Sequence, residues 1–150
     1  MVFTANEIFH NLWLGDIRDS RNNDFISKID VIINCTNNLP YLDNKKICYR
    51  VGVEDNLEKN EIIQLYKLLD PTIDFIHKNL INQKCVFVHC YAGKQRSASV
   101  ICAYIMKYFK LSLNEATLLV KSKRQHIFTP LCNFEAALQV FEKKQIENNM

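Results

Sequence analysis

The chain has 150 residues, 48% of them hydrophobic and 23% charged, with a formal net charge of +3. That is enough length for one domain with a real core, and the composition is ordinary for a globular fold. So small a charge argues against a dedicated nucleic-acid or membrane-surface binder, and no apolar run approaches the ~18–20 residues that span a bilayer. The opening MVFTANEIFH lacks the basic and apolar regions of a signal peptide. None of the six cysteines (Cys35, Cys48, Cys85, Cys90, Cys102, Cys132) forms a C-x-x-C pair, and Cys35, Cys48, Cys85 and Cys102 sit in apolar, buried-looking runs. Such usage speaks against a zinc site or a disulfide scaffold and for a reducing, cytoplasmic setting. With no internal repeat or linker, residues 1–150 read as a single domain.

In chain order, LWLGD (12–16) is a short apolar run ending at a glycine, as a strand and turn would. DSRNNDFISKI reads as one short helix with Phe25, Ile26 and Ile29 inward. DVIINCT is a β-branched run suited to a strand buried on both faces. KICYRVGV is a third strand. Residues 59–79 carry helical spacing, but Asp70-Pro71 interrupts it and predicts a kink or two abutting helices, with Asp70 as cap. KCVFVHC is a fourth strand, central by its apolarity. A helix follows from Arg96 or Ser97 to about Lys110. Ser112 and Glu115 form a capping box that opens the next helix. Lys121, Lys123, Arg124, Lys143 and Lys144 read as solvated helix faces. Thr129-Pro130 opens the last helix, with Phe134, Leu138 and Phe141 on one face. Strands alternating with helices predict an α/β fold, a single mainly parallel central sheet flanked by helices.

The stretch VHCYAGKQRSASVICAYIM places Cys90 where a strand ends and a helix is about to begin. Such junctions gather sites at the carboxyl edge of a parallel sheet. If the strand ends at His89, residues 90–96 curl tightly and several backbone N–H groups point into one hollow, the form of an anion nest. Gly93 supplies a conformation that other residues resist. Arg96 adds a planar fork for two phosphate oxygens. The same field favours a thiolate at Cys90, because a free thiol near ~8.5 ionises far lower beside a helix N-terminus and a cation. Ser97 is in position to donate a hydrogen bond to the sulfur.

This stretch resembles the His-Cys-x5-Arg-Ser/Thr loop of the cysteine-dependent protein tyrosine phosphatase superfamily, and within it the dual-specificity phosphatases. AYIM (103–106) is similar to the Ala-Tyr-Leu-Met that follows the loop there. IFHNLWLGDIRDS, DVIINCT and PLCNFEAALQVFE resemble their opening strand, second strand and closing helix. The resemblance spans about residues 8–142. It implies a shallow-pocketed phosphatase acting on phosphotyrosine and phosphoserine/threonine in proteins through a cysteinyl-phosphate, without metal or cofactor, with phosphorylated protein as partner. Cys90 is then the nucleophile. Tyr91, Ala92, Gly93, Lys94, Gln95 and Arg96 hold the phosphate, Tyr91 and Lys94 at the rim, and His89 supports the loop.

The family takes its general acid from an aspartate just after a strand, some thirty residues before the cysteine. YRVGVEDN delivers Asp55, with Glu54 as its rival and Glu58 as a poorer one. Gln95 departs from the Ser or Gly usual in the family. The family also implies a possible redox partner: some members pair the catalytic cysteine with one placed as Cys35 is, against a plain core role for it. Lys94 keeps a phosphoinositide phosphatase open as an alternative, and the shared loop an RNA 5′-triphosphatase. A non-catalytic phospho-binding module and a rhodanese-like sulfur carrier are the remaining alternatives.

Overall fold

The structure is a computed structural model describing residues 2–41 and 45–150. Five strands form one sheet in the order β1-β2-β5-β3-β4. β1 (Asn6–Phe9) runs antiparallel to β2 (Leu12–Gly15), while β2, β5 (Val86–His89), β3 (Val31–Asn34) and β4 (Ile47–Arg50) are parallel neighbours. β1 was not anticipated as a separate strand. Its four residues alternate poorly, and pairing with β2 across a tight turn at Asn11 creates it.

β5 is central, as its sequence predicts, and all four of its residues are buried. Val86 and Val88 enter the larger core with Leu12, Leu14, Val31 and Ile33, while Phe87 points into a smaller cluster with Phe25, Ile26 and Ile29. A strand covered on both faces has no polar side to alternate, which is why β3 and β5 read as continuous apolar runs. The smaller cluster is sealed by edge-on aromatic contacts, Phe25 with Phe87 at 4.9 Å and with Trp13 at 5.4 Å between ring centroids. On that side, α1 (Ile17–Ser20) and α2 (Asn23–Ile26) replace the single helix expected. Asp16 and Asn22 each cap a new helix by accepting backbone N–H bonds, and this splits the segment.

The larger core is built by α3 (Lys59–Ile81), α4 (Arg96–Phe109), α5 (Leu113–Lys123) and α6 (Glu135–Asn148). The predicted break at Asp70-Pro71 does not occur: α3 runs unbroken through Pro71 for 23 residues. A proline inside a helix costs ~3 kcal/mol. Leu65, Leu69, Ile73 and Ile76 form one fully buried stripe across it, each contributing about 1.5–3 kcal/mol, and that outweighs the loss. Asp70 is no cap; its carboxylate pairs with Lys144 at 3.1 Å and Lys107 at 3.5 Å. Ser112 and Glu115 do make the predicted capping box of α5. The last helix starts at Glu135, not at Pro130, although Phe134, Leu138 and Phe141 are buried together as expected. Residues 129–134 are diverted by Gln95, as described below. Cys35 and Cys102 are buried as their runs suggest, but Cys85 is half-buried and Cys48, on the edge strand β4, is exposed. Among the described residues no helix is long and apolar enough to cross a membrane.

Candidate active site

The register aligns Gly15 of β2 and Asn34 of β3 with His89 of β5. Three parallel strands therefore end level, and the residues that follow them (Asp16, Cys35 and Cys90) leave the sheet together at its carboxyl edge. Two backbone bonds tie these exits: Cys35 N donates to His89 O at 2.7 Å, and Ile17 N donates to Tyr91 O at 3.0 Å.

From Cys90 the chain turns back on itself before α4 begins at Arg96. Gly93 has φ +68°. A Cβ there would stand 2.5 Å from Gly15 O and 2.6 Å from a guanidinium nitrogen of Arg124, so both conformation and space require glycine. This fold brings Gly93 N within 3.3 Å of Cys90 Sγ, to which it donates. Ser97 Oγ lies 3.1 Å from the same sulfur. Cys90 and Ser97 are both buried. His89 is buried, and desolvation pulls its imidazole down to about 4, so the ring is neutral near pH 7. Its Nδ1 lies 3.2 Å from Cys90 O. A carbonyl only accepts, so Nδ1 carries the proton and holds the loop's first peptide.

Arg96 is buried, and its Nη1 donates to Val53 O at 2.9 Å. Its Nε is buried without a hydrogen-bond partner. A buried guanidinium N–H left open in this way is costly and calls for an acceptor. An oxyanion held against the loop would supply one.

Asp55 stands two residues beyond Val53, on an exposed segment, and Asn133 Nδ2 donates to its Oδ1 at 2.9 Å. Glu54 and Glu58 point to other tasks. Glu54 Oε1 accepts from Asn37, and the backbone of Glu58 accepts the first bonds of α3. Tyr91 is 63% exposed and Lys94 is exposed too, so both sit at the mouth of the loop. Gln95 is buried beneath it: Nε2 donates to Leu131 O at 2.8 Å and Oε1 accepts from Asn133 N at 2.9 Å.

Arg124 corrects an expectation. It is no solvated face residue: Nε donates to Gly93 O at 2.9 Å, and Nη1 donates to Thr4 O and Asn6 Oδ1, each at 2.9 Å. It ties the far side of the loop to the strand β1. Its acceptors lie 31 and about 120 positions away in the chain, so no local signal announces it. Asn133 was also passed over, for the same reason.

The other cysteines differ in kind. Burial pushes the thiols of Cys102 to about 12 and Cys132 to about 11. Burial also raises Cys35 well above its usual value, with the nearby Cys90 adding to the rise. A cleft of about 450 Å³ lies between α5 and α6 and includes no residue of the loop. A smaller one of about 310 Å³ opens beside Ala92 and Lys94, with Arg18, Lys123 and His126 around it. Cationic side chains, Arg18, Lys94, Lys123 and Arg124, thus gather beside the loop.

A level sheet edge carrying a buried cysteine, a turn closed by a buried arginine and an aspartate on the exposed segment after β4 fit a cysteine-dependent phosphatase scaffold. The chain belongs to the dual specificity phosphatase catalytic-domain family, whose family model matches residues 12–144. It is 38% identical over 141 residues to human dual specificity protein phosphatase 16, covering 91% of this chain but 20% of that protein. It is 36% identical over 138 residues to the candidate tyrosine phosphatase 123R of Invertebrate iridescent virus 6, covering 91% of each. The crystal structure of human DUSP28 superposes with a TM-score of 0.83 over 96% of both chains, at 24% identity.

Proposed function

We propose that this chain hydrolyses phosphate monoesters on tyrosine and serine/threonine side chains of proteins, with residues 1–150 acting as one catalytic unit. The orphaned Nε of buried Arg96, at the end of the turn that begins at Cys90, carries the proposal. In the first step Cys90 Sγ attacks phosphorus and the P–O bond to the substrate breaks. Arg96 and the loop amides hold the non-bridging oxygens. Asp55 gives its proton to the departing oxygen, help typically worth about 10²–10⁴-fold. In the second step water attacks the thiophosphate, Asp55 takes back a proton, and Cys90 leaves as a thiolate that accepts a hydrogen bond from Ser97. Neutral His89 takes no part in proton transfer and holds the turn. Tyr91 and Lys94 meet the residues around the phosphoryl group.

A reducing, cytoplasmic setting belongs to the same proposal, since the nucleophile must be a free thiol, as Cys90 is. Cys35 follows β3 as Cys90 follows β5, and peroxide oxidation of Cys90 to a sulfenic acid would let the Cys35 thiol condense with it, releasing water. Peroxide treatment followed by peptide mass spectrometry should recover a Cys35–Cys90 pair; its absence removes that role.

The decisive test is turnover of phosphotyrosyl and phosphoseryl peptides, phosphoinositides and 5′-triphosphorylated RNA by the wild-type chain and Cys90→Ser. Peptide turnover abolished by Cys90→Ser, with phosphate binding retained, is the expected result. Preference for the lipid or the RNA would replace the substrate class. Binding without turnover of any would make the chain a phospho-binding module, and sulfur transfer from thiosulfate would make it a rhodanese-like carrier.

A further inference from the structure

We propose that Asn133 is the positioning residue for Asp55, and that Gln95, inside the phosphate-binding loop, sets where Asn133 stands. This rests on the assignment of Asp55 as the proton donor.

Three successive residues of the loop each hold a different segment. Lys94 O accepts from Phe128 N at 2.8 Å. The Gln95 amide spans Leu131 O and Asn133 N. Arg96 Nη1 grips Val53 O. The last two both bear on Asp55. Arg96 fixes the backbone two residues ahead of it, and Asn133, itself fixed by Gln95, fixes the carboxyl group. That bond from Asn133 Nδ2 is the one hydrogen bond the Asp55 carboxyl receives among the described residues.

The chemistry of the bond is directional. A carboxylate only accepts, so the amide must present its nitrogen. With Nδ2–H on Oδ1, that oxygen is the carbonyl oxygen of the protonated acid, and the transferable proton resides on Oδ2. An exposed aspartate would otherwise sample several rotamers and place its proton on either oxygen. Held by Asn133, it offers Oδ2 to the leaving group in the first step and to water in the second. A serine or glycine at position 95 has no amide to reach both the 131 carbonyl and the 133 amide. The departure at Gln95 and the contact at Asn133 are thus one device, which refers the proton donor to the same loop that holds the phosphate.

The test uses two aryl substrates that differ in leaving-group quality, phenyl phosphate and 4-nitrophenyl phosphate. Asn133→Ala should lower kcat for phenyl phosphate about tenfold, with KM little changed and a far smaller loss for 4-nitrophenyl phosphate. Asn133→Asp, which keeps the shape and loses the donor, should give the same signature. Gln95→Ser should give a weaker version of it. On an Asp55→Ala background Asn133→Ala should cost nothing more. Equal losses on both substrates, or additive losses on that background, while Asp55→Ala itself discriminates between them, overturn the positioning role alone. If Asp55→Ala treats both substrates alike, the acid assignment beneath it falls instead.

Discussion

The loop from Cys90 to Arg96, proposed to bind phosphate, and the segment of Asp55, proposed to supply the acid, meet at Arg96, yet they are built in opposite ways. The loop is buried at Cys90, Gln95, Arg96 and Ser97 and is held from every side: by Ile17 through Tyr91, by Arg124 through Gly93, by Phe128 through Lys94 and by His89 through Cys90. Residues 54–58 are exposed and rest on few contacts, among them Glu61 to Glu54 N at 2.8 Å and Asn133 to Asp55. The difference matches the two tasks. Donors that stabilise a charged phosphoryl group work best when they need not move as the reaction proceeds. A group that gives a proton and takes one back must reach water and the leaving group in turn.

The strongest way to break the comparison is Arg96→Lys, which removes both its phosphate fork and its link to Val53. Turnover should fall about 10²–10³-fold. Hydrogen exchange should quicken in residues 53–58 while the loop around Gly93 stays protected. Faster exchange in both regions would show that they are one unit. Asp55→Asn probes the other side. It should slow hydrolysis of poor leaving groups by about 10²-fold or more and spare good ones, with phosphate affinity unchanged; a drop in that affinity would mean the acid segment also builds the binding site.

His89 sharpens the comparison through pH. Its folded pKa of about 4 lies below the ordinary 6.5, so the unfolded chain binds more protons between those values. The contribution is fully present above 6.5 and is lost as pH falls toward 4, about 3 kcal/mol in all. Thermal melts should therefore show Tm falling from pH 7 to pH 5, and His89→Asn should flatten that dependence. The smallest effect is expected from Arg124→Ala. It strips a donor from Gly93 O and from Thr4 O and should cost about 2 kcal/mol in denaturant unfolding. Activity should fall in step with loop order, and the leaving-group preference should stay as it was. A changed preference would mean that Arg124 acts on Asp55 as well.

The turn between β5 and α4 could be read from the chain because its parts are consecutive. His89, Cys90, Gly93, Arg96 and Ser97 lie within nine positions, and a strand-to-helix junction leaves them one way to fold. The central strands were equally plain, since burial on both faces writes itself as an unbroken apolar run. The break at Pro71 and the helix start at Pro130 were misread for a common reason. Local propensity is worth a few kcal/mol at most, and in α3 a long buried stripe exceeded it, while after Pro130 the amide of Gln95 held the backbone out of helix.

The apolar runs of β3 and β5, the Ser112–Glu115 cap and the one dense motif are short-range, and the amino-acid order determined them by itself. Arg124 on Gly93, Arg96 on Val53, Gln95 on Asn133 and Asn133 on Asp55 join positions 31 to 78 residues apart. Their partners are mostly backbone carbonyls and amides, which every residue carries and no pattern of side chains marks. Only the packing of the sheet against α3–α6 decided which of them would meet.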